Sequence, residues 1–453
     1  MPRRTCYTAL APLAAWIVAT SLAPQASASG FQLREQSPSA QGTSFAGVSA
    51  GGSDIGSMFF NPATLTLFQG NQSVLGMSEV MPKAKLEGAV GTRSASLPAP
   101  YQPIKGSDSE ANAAKSALLP NLYAMWSVSS DLKLGLSVNA PFGMSTNYDA
   151  TFVGRYHALK SDLTVLDIAP TIAYRINPQW SVGAAFVARK ADAELTNAVD
   201  FGSAILANPL IPAFMKAGVT PGGSDGVASL KGSKWGYGYR LGIVFQPSET
   251  LRLGLAHQSA MSMTLSGDAT FTGVPALLAG SIKNVSATAE LNLPSTTSLG
   301  INLDVSPTIS VQSELARTNW SSFKELRVKF SGGVPSDSIT EEQWRDTWFY
   351  SLGLTWKATE AWTLRPGLAY DQCAVKDEFR TPRIPDGNRT WVSLGAGYAF
   401  SQKVSVDFAY THIFVTDGPL ELTAAGSNQS RGSLTGNYKN SIDILSAQAK
   451  FTF

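Results

Sequence analysis

Residues 132–143 read LKLGLSVNAPFG. Leu132, Leu134, Leu136 and Val138 fall on one face, and Lys133, Gly135, Ser137 and Asn139 on the other. Alternation with period two marks a β-strand whose faces meet unlike surroundings. Ala140-Pro141-Phe142-Gly143 then breaks the pattern. Proline cannot donate to a ladder and is confined to edges and bulges. The stretch therefore predicts a strand that runs straight to Asn139 and kinks above it. The same alternation returns at Leu299, Ile301, Leu303 and Val305 against Ser298, Gly300, Asn302 and Asp304. It also returns at Trp344, Trp348, Tyr350, Leu352, Leu354 and Trp356 against Arg345, Thr347, Ser351, Gly353 and Thr355.

Period two does not say which face is wet. A soluble sandwich buries the apolar face; an outer-membrane barrel turns it toward lipid. Three features favour the barrel. Connections alternate short and long. The short ones fall at Ser129–Asp131, Asn177–Gln179, Pro247–Thr250, Ser306–Thr308, Ala358–Ala361 and Phe400–Lys403, with seven long segments between or beside them. Six short turns and seven long loops call for about 14 antiparallel strands. Aromatics gather at strand ends (Trp126, Tyr174, Trp180, Trp235, Tyr237, Trp320, Trp348, Trp356, Trp362, Tyr370, Tyr398, Tyr410), as two interfacial girdles would require. The chain closes on Leu445, Ala447, Ala449, Phe451 and Phe453, an amphipathic strand with a terminal ring. The predicted fold class is all-β: a closed transmembrane antiparallel barrel of about 14 strands with an N-terminal plug.

The start of the chain reads differently. Residues 1–28 carry Arg3 and Arg4, an apolar middle and Ala26-Ser27-Ala28, the pattern of an export signal. Without it, 33 Lys+Arg stand against 33 Asp+Glu, since only Arg3 and Arg4 leave the original 35. A neutral chain without a basic stripe is not a nucleic-acid binder. Cys6 leaves too, so Cys373 has no intramolecular partner. Residues 29–69 are rich in Gly, Ser and Ala and hold no lasting period. Such a stretch does not fold alone. It reads either as a linker or as a hatch inside a barrel formed by residues 70–453. Met58-Phe59-Phe60-Asn61-Pro62-Ala63 is too apolar for a solvated tether, which favours the hatch.

Gly30-Phe31-Gln32-Leu33, Asn61-Pro62-Ala63, Ala140-Pro141-Phe142-Gly143, Val153-Gly154-Arg155-Tyr156-His157, Leu291-Asn292-Leu293-Pro294 and the terminal aromatic occur in an order and spacing that resemble the FadL family. These are outer-membrane transporters of long-chain fatty acids, with relatives that carry toluene and other aromatic hydrocarbons. The resemblance runs from Gly30 to Phe453. It implies a 14-stranded barrel and an N-terminal hatch containing Gly30, Phe31, Leu33, Asn61, Pro62 and Ala63. It also implies substrate leaving sideways through the wall.

In a closed barrel, Pro141 and Gly143 force an inward kink, and a lipophilic molecule can pass there into the bilayer. The alternative places Pro141 in the following loop. A second apolar feature lies in two long external loops, at Phe201, Ile205, Leu206, Leu210, Ile211, Phe214 and Met215, and at Phe271, Val274, Leu277 and Leu278. It reads as a receiving groove for a greasy ligand or as a lid of loops packed on one another.

By strand parity the lumen receives Arg175, Arg189, Arg240, Arg345 and Arg365; the resemblance implies basic residues that hold a carboxylate, for which Arg189 and Arg345 are the nearest candidates, and Asn197 stands where a basic residue would have helped. An uncharged hydrocarbon substrate therefore stays open. No metal spacing, P-loop or dinucleotide motif stands out, so no cofactor is expected and the chain does not read as an enzyme. The rival of another class is an outer-membrane lipid hydrolase built on His257 and Ser259. A general porin, with many lumenal charges and no plug, is the other alternative. Expected partners are a hydrophobic small-molecule ligand, outer-membrane lipid and lipopolysaccharide, and the barrel-assembly machinery, with the chain a monomer.

Overall fold

The computed structural model describes residues 30–93, 102–333 and 336–453; the export signal expected at 1–28 lies outside them. Strands β1 (Gln72–Thr92), β2 (Ala117–Ser127), β3 (Leu132–Asn147), β4 (Lys160–Arg175), β5 (Trp180–Asp200), β6 (Asp225–Phe245) and β7 (Leu251–Gln258) follow in order around the wall. After β8 (Met261–Thr272) and β9 (Val285–Leu293) come β10 (Thr296–Asp304) and β11 (Ile309–Thr318). After β12 (Glu325–Phe330) and β13 (Ser338–Glu341) come β14 (Thr347–Lys357), β15 (Trp362–Asp371), β16 (Arg389–Ala399) and β17 (Val404–Val415). Then β18 (Gly418–Leu422) precedes β19 (Ser433–Thr452). All neighbours run antiparallel, and β19 returns to β1 from Gln72↔Thr452 to Thr92↔Ser433, closing the sheet.

Fourteen strands make the barrel; β8, β9, β12, β13 and β18 belong to the long-loop end. The six short turns expected from the sequence join β2 to β3, β4 to β5, β6 to β7, β10 to β11, β14 to β15 and β16 to β17. Closure of the fourteen-strand barrel removes the free ends of the sheet within the wall, the condition a sheet must meet in lipid. No described helix is long and apolar enough to cross a membrane, so the crossing elements are the strands.

The alternation is inverted relative to a soluble protein. Leu352 is 57% exposed while Ser351 beside it is 6% exposed. Leu134, Leu299, Ile301 and Leu303 also face outward, and Lys133, Asn302 and Glu314 face in. Trp126, Tyr174, Trp180, Trp235, Tyr237, Trp356, Trp362, Tyr370 and Tyr410 have their rings on the outer face. Two aromatics, Trp320 expected in a girdle and Trp344 expected on the apolar face of a strand, do not. Trp320 is fully buried and Trp344 nearly so. Both lie beyond the strands, in the connection between β11 and β14, which turns inward; β14 begins only at Thr347.

Candidate functional site

The irregular segment from Gly30 to Phe68 occupies the lumen. It forms one short helix, α1 (Pro38–Gln41), and three 3-10 turns; the helix and two of the turns are started by a side chain, as Ser37, Asp54 and Asn61 accept from amides that follow, while the turn Val48–Ala50 begins at Gly47 without one. These caps hold a sequence with no core of its own in shape. Asn61 also fixes it to the wall. Its Nδ2 donates to the carbonyls of Ser49 (2.6 Å) and Ile243 (3.0 Å), and its Oδ1 accepts from the Ala63 amide (2.9 Å). The wall is bare where this happens: a Cβ on Gly242 would lie 1.8 Å from Asn61 Oδ1, and one on Gly367 would lie 2.1 Å from the Thr43 carbonyl carbon. Glu314 on β11 holds Ser49 through its amide and hydroxyl (3.2 and 2.5 Å).

β3 is broken where the proline predicts. It pairs with β2 only from Lys133 to Val138. Its register with β4 shifts between Asn139 and Phe142. Above, contact across this seam resumes where Lys115 N donates to Ser145 O (3.1 Å) and Asn147 N to Ala113 O (2.8 Å). Between these limits Ala117–Asn121 of β2 pairs with β1 alone. The result is a window in the wall. The backbone that β2 does not satisfy is satisfied by the hatch: Leu33 N donates to Pro141 O (2.8 Å), Gly143 N to Phe31 O (2.9 Å), and Gln36 Nε2 to Ala140 O (2.8 Å). Tyr123 Oη donates to Gln36 O (2.5 Å) and accepts from Asn139 Nδ2 (2.7 Å). Pro141 therefore lies inside the strand, displaced toward the lumen, and not in the loop.

Phe31 lies in a knot of rings. Its centroid is 4.8 Å from Trp320, 5.5 Å from Trp344, 5.6 Å from Phe323 and 6.1 Å from Phe142. On one side of the knot is an apolar cavity of about 80 Å³, lined by Phe31, Met144, Leu163, Leu195, Leu230, Leu265, Leu291, Phe323, Leu326, Val328 and Ile384. Glu342 and Arg383 bring charge to it, with Asp162, Lys231, Asp268 and Glu290 also on its margin. Arg383 is 7% exposed. Its Nη1 donates to Lys160 O (3.2 Å) and Ser161 Oγ (3.0 Å); its Nε and Nη2 have no acceptor among the described residues. Burial pulls this guanidinium below its ordinary range, opposed by Glu342. Burial pushes the Glu342 carboxyl up to about 8, against a hydrogen bond from Trp344 Nε1 (2.9 Å).

The two arginines proposed from strand parity are placed elsewhere. Arg189 makes a two-pronged bond to Asp167, Nε to Oδ1 (2.6 Å) and Nη2 to Oδ2 (2.8 Å), and Asp167 also receives Arg240 Nη2 (2.5 Å). Arg189 is 1% exposed and sits over the Phe142 ring. Arg345 donates to the Cys373 carbonyl (2.9 Å). Neither lines the cavity. Arg383 was not foreseen because it lies in the loop after β15, where strand parity says nothing.

The external apolar residues divide. Phe201 and Ile205, in the helix α2 (Phe201–Ala207), and Leu278 form a small core with Ile211, Val274 and Leu277. Phe271 joins a neighbouring cluster against Phe330. Leu206 is half-buried. Leu210 and Phe214 are 89% and 78% exposed. The loops are thus a packed lid carrying an exposed apolar crest. A larger apolar concavity, about 820 Å³, lies on the lipid-facing wall among Met77, Leu118, Leu394 and Phe408; the bilayer covers it.

His257 Nδ1 lies 2.9 Å from Thr297 Oγ1, and Ser259 Oγ accepts from the Tyr239 amide; the two are not hydrogen-bonded to each other. The described residues include no cluster able to hold a metal ion.

A family model described as outer membrane protein transport protein (OMPP1/FadL/TodX) matches residues 19–453. The long-chain fatty acid transport protein of Escherichia coli O6:H1 is 30% identical over 455 residues, covering 95% of this chain and 97% of the relative. A putative outer membrane protein of Neisseria meningitidis serogroup B is 30% identical, covering 94% and 95%. The crystal structure of a Pseudomonas aeruginosa FadL homologue shares the fold with a TM-score of 0.84 at 24% identity, covering 94% of this chain and all of the other. The Pseudomonas putida toluene transporter TodX does so with a TM-score of 0.68 at 19% identity, over 94% and 100%. The protein is an outer-membrane barrel, a transporter of hydrophobic molecules and not an enzyme. It belongs to the OMPP1/FadL/TodX family of outer-membrane transport proteins.

Proposed function

We propose that this protein takes up long-chain fatty acids. The exposed crest at Leu210 and Phe214 captures the chain. It passes into the cavity beside Phe31, with Arg383 holding the carboxylate, and leaves through the window at Ala140–Gly143. The observation that carries the reading is Arg383: a buried guanidinium at an apolar cavity with two of its nitrogens uncommitted. Nη1 already has its acceptors, and a carboxylate supplies acceptors to the other two nitrogens in the two-pronged geometry a guanidinium favours.

A second reading rests on the volume. The cavity, at about 80 Å³, is small beside the ~300–1,000 Å³ of pockets that enclose whole ligands. A small aromatic hydrocarbon fits with little rearrangement, whereas an acyl chain must displace Met144 or Phe31 or extend between the loops. Binding of oleate and of toluene to the same purified sample separates the two. Replacing Arg383 with Met removes a charge-assisted bond of about 1.5–3 kcal/mol. Oleate affinity then falls roughly tenfold to hundredfold and toluene affinity stays. Equal losses for both ligands, or no oleate binding by the unaltered protein, reject the fatty-acid reading. Arg189→Met and Arg345→Met serve as comparators and leave the oleate-to-toluene ratio unchanged.

A further inference from the structure

The hollow on the lipid-facing wall, about 820 Å³, reaches the window. Along one row across neighbouring strands, Met77, Ala447, Phe408 and Ala396 follow one another, and all four border it. The two alanines stand between larger side chains, and that alternation makes the wall concave there. Leu118 also borders the hollow. It belongs to Ala117–Asn121, the stretch of β2 that pairs with β1 alone beside the window. A hollow left empty forfeits the dispersion contacts of its lining, so a chain from the bilayer fills it.

Toward the long loops the same outward face changes character. On β1 the outward positions run Leu75, Met77, Glu79 and Met81, then Lys83 and Lys85. A tilted strand crosses the hydrocarbon in about 9–11 residues, so β1, which starts at Gln72, leaves it near Lys83. Phe414, 57% exposed, lies in the row of Lys83 through Ser441, as a boundary ring does. The register sets Lys439 of β19 opposite Lys85 and diagonal to Lys83, and like charges so placed repel. Glu87 is shared by Lys85 (2.5 Å) and Lys439 (2.9 Å). Lys83 makes no ion pair with any described residue. Asp443, one row below, is held by His412 (2.8 Å) and Tyr410 (2.7 Å), and Glu79 borders the hollow.

We propose that this face of β1 and β19 binds a phosphorylated lipid of the outer leaflet, with a phosphate on Lys83 and Lys439 and a chain running down into the hollow. Lysine serves phosphate as a point charge, and a phosphate supplies the anion that Glu87 alone does not. Glu79 on the rim of the hollow is about 13 Å below Lys83 at ~3.3 Å per residue. That lies within the ~15 Å depth of one leaflet's hydrocarbon, so a single lipid reaches both. Its chain then lies along Leu118, at the outer lip of the window. The site depends on placement in the outer membrane and not on which substrate is carried.

The experiment titrates the full-length barrel in neutral detergent with diphosphoryl lipid A, with a diacylglycerol and with oleate, and counts bound lipid by native mass spectrometry. Heat-modifiability on a gel shows that each variant is assembled. The unaltered barrel retains one lipid A where the diacylglycerol is lost. Lys83→Gln with Lys439→Gln weakens lipid A binding roughly tenfold to thirtyfold, the loss of two cations at a membrane surface. Lys190→Gln with Lys234→Gln, on β5 and β6, removes as much charge elsewhere and leaves it within about twofold. Ala447→Phe with Ala396→Leu fills the hollow, keeps the lysines and weakens lipid A about tenfold. Equal losses from the two lysine pairs mean diffuse attraction and overturn the site. So does a filled hollow without effect, or equal retention of lipid A and diacylglycerol. Oleate displacing lipid A at equal concentration assigns the lysines to a carboxylate and overturns the phosphate. A dimer in place of the lipid-bound monomer makes the face an interface between copies and overturns the lipid.

Discussion

The Gly143 amide donates to the Phe31 carbonyl at 2.9 Å, joining the kink in the barrel wall to the residue that lines the cavity. Gate and site share one strand of hatch. With Leu33 N to Pro141 O, this pair replaces ladder bonds that β2 would otherwise supply to β3. Each such bond contributes about 0.5–1.5 kcal/mol net, and moving the hatch strand must also draw Phe31 out of its knot of rings.

Straightening β3 tests the exit. A hydrophobic molecule gains about 0.8 kcal/mol per CH₂ kept from water, so an aqueous path past the hatch forfeits that over a whole chain. Replacing Pro141 with Val restores the one missing backbone donor, Gly143→Thr adds β-propensity, and together they let β3 pair with β2 above Val138. Uptake of hydrophobic substrate then falls sharply, while the barrel assembles and ligand binding stays. Unchanged uptake by a correctly assembled double variant means substrate passes the hatch instead.

Hatch seating depends on wall glycines. At Gly242 any side chain meets Asn61 Oδ1, since even a Cβ comes within 1.8 Å. Gly242→Val therefore pushes Asn61 off the Ile243 carbonyl. The expected result is an assembled, heat-modifiable barrel with raised planar-bilayer conductance, close to that of a protein lacking residues 30–67. Conductance equal to that of the unaltered protein shows that Asn61 is not what holds the hatch shut.

What was legible followed from period two. Leu132 to Val138 shows its lipid face without any tertiary knowledge, and Pro141 breaks the strand wherever the strand lies. Trp320 and Trp344 misled because an aromatic near a strand end looks the same whether the chain turns outward to lipid or inward over a cavity. Arg383 was invisible for a related reason: loop residues have no parity. One signal went unread. Gly183, Gly242, Gly254, Gly300, Gly353 and Gly367 all carry backbone or side-chain atoms of the hatch against them, and bare positions on the polar face of successive strands announce something packed on the wall.

The lid and the crest above the barrel respond differently to charge. Phe201 and Leu278 are buried in the small loop core, so Leu278→Asp loosens the lid and exposes its backbone to proteolysis. Leu210 and Phe214 are exposed, and aspartate there leaves the fold intact. With Leu210→Asp and Phe214→Asp together, stopped-flow binding slows while the dissociation rate from the inner cavity holds. An unaltered association rate removes the crest from the route.

On the fatty-acid reading, oleate binding is expected to depend on pH through Glu342. Its carboxyl is pushed up to about 8 by burial, against the Trp344 hydrogen bond and the attraction of Arg383 and Arg431. In the folded protein it is neutral at pH 7, while in the unfolded chain it is ionised. Stability from this group is therefore lost as pH rises from the ordinary carboxylate range to about 8 and is level beyond. A neutral Glu342 also leaves the Arg383 charge free for the ligand. Arg383 is itself lowered by burial, yet a guanidinium starts so high that it stays charged at neutral pH. Raising the pH through 8 ionises Glu342 and sets a second carboxylate beside the bound one. Across a shared cavity, and screened as at a protein surface, that repulsion is expected to be worth about a factor of ten. Oleate affinity therefore falls about tenfold between pH 7 and pH 9, and toluene affinity does not. In Glu342→Gln the fall is gone and affinity at pH 9 matches that at pH 7. Asp162, Lys231, Asp268 and Glu290 also border the cavity, and burial lowers Arg383 itself to about 9, so a fall that persists in Glu342→Gln assigns the effect to one of these five groups and removes Glu342 from it.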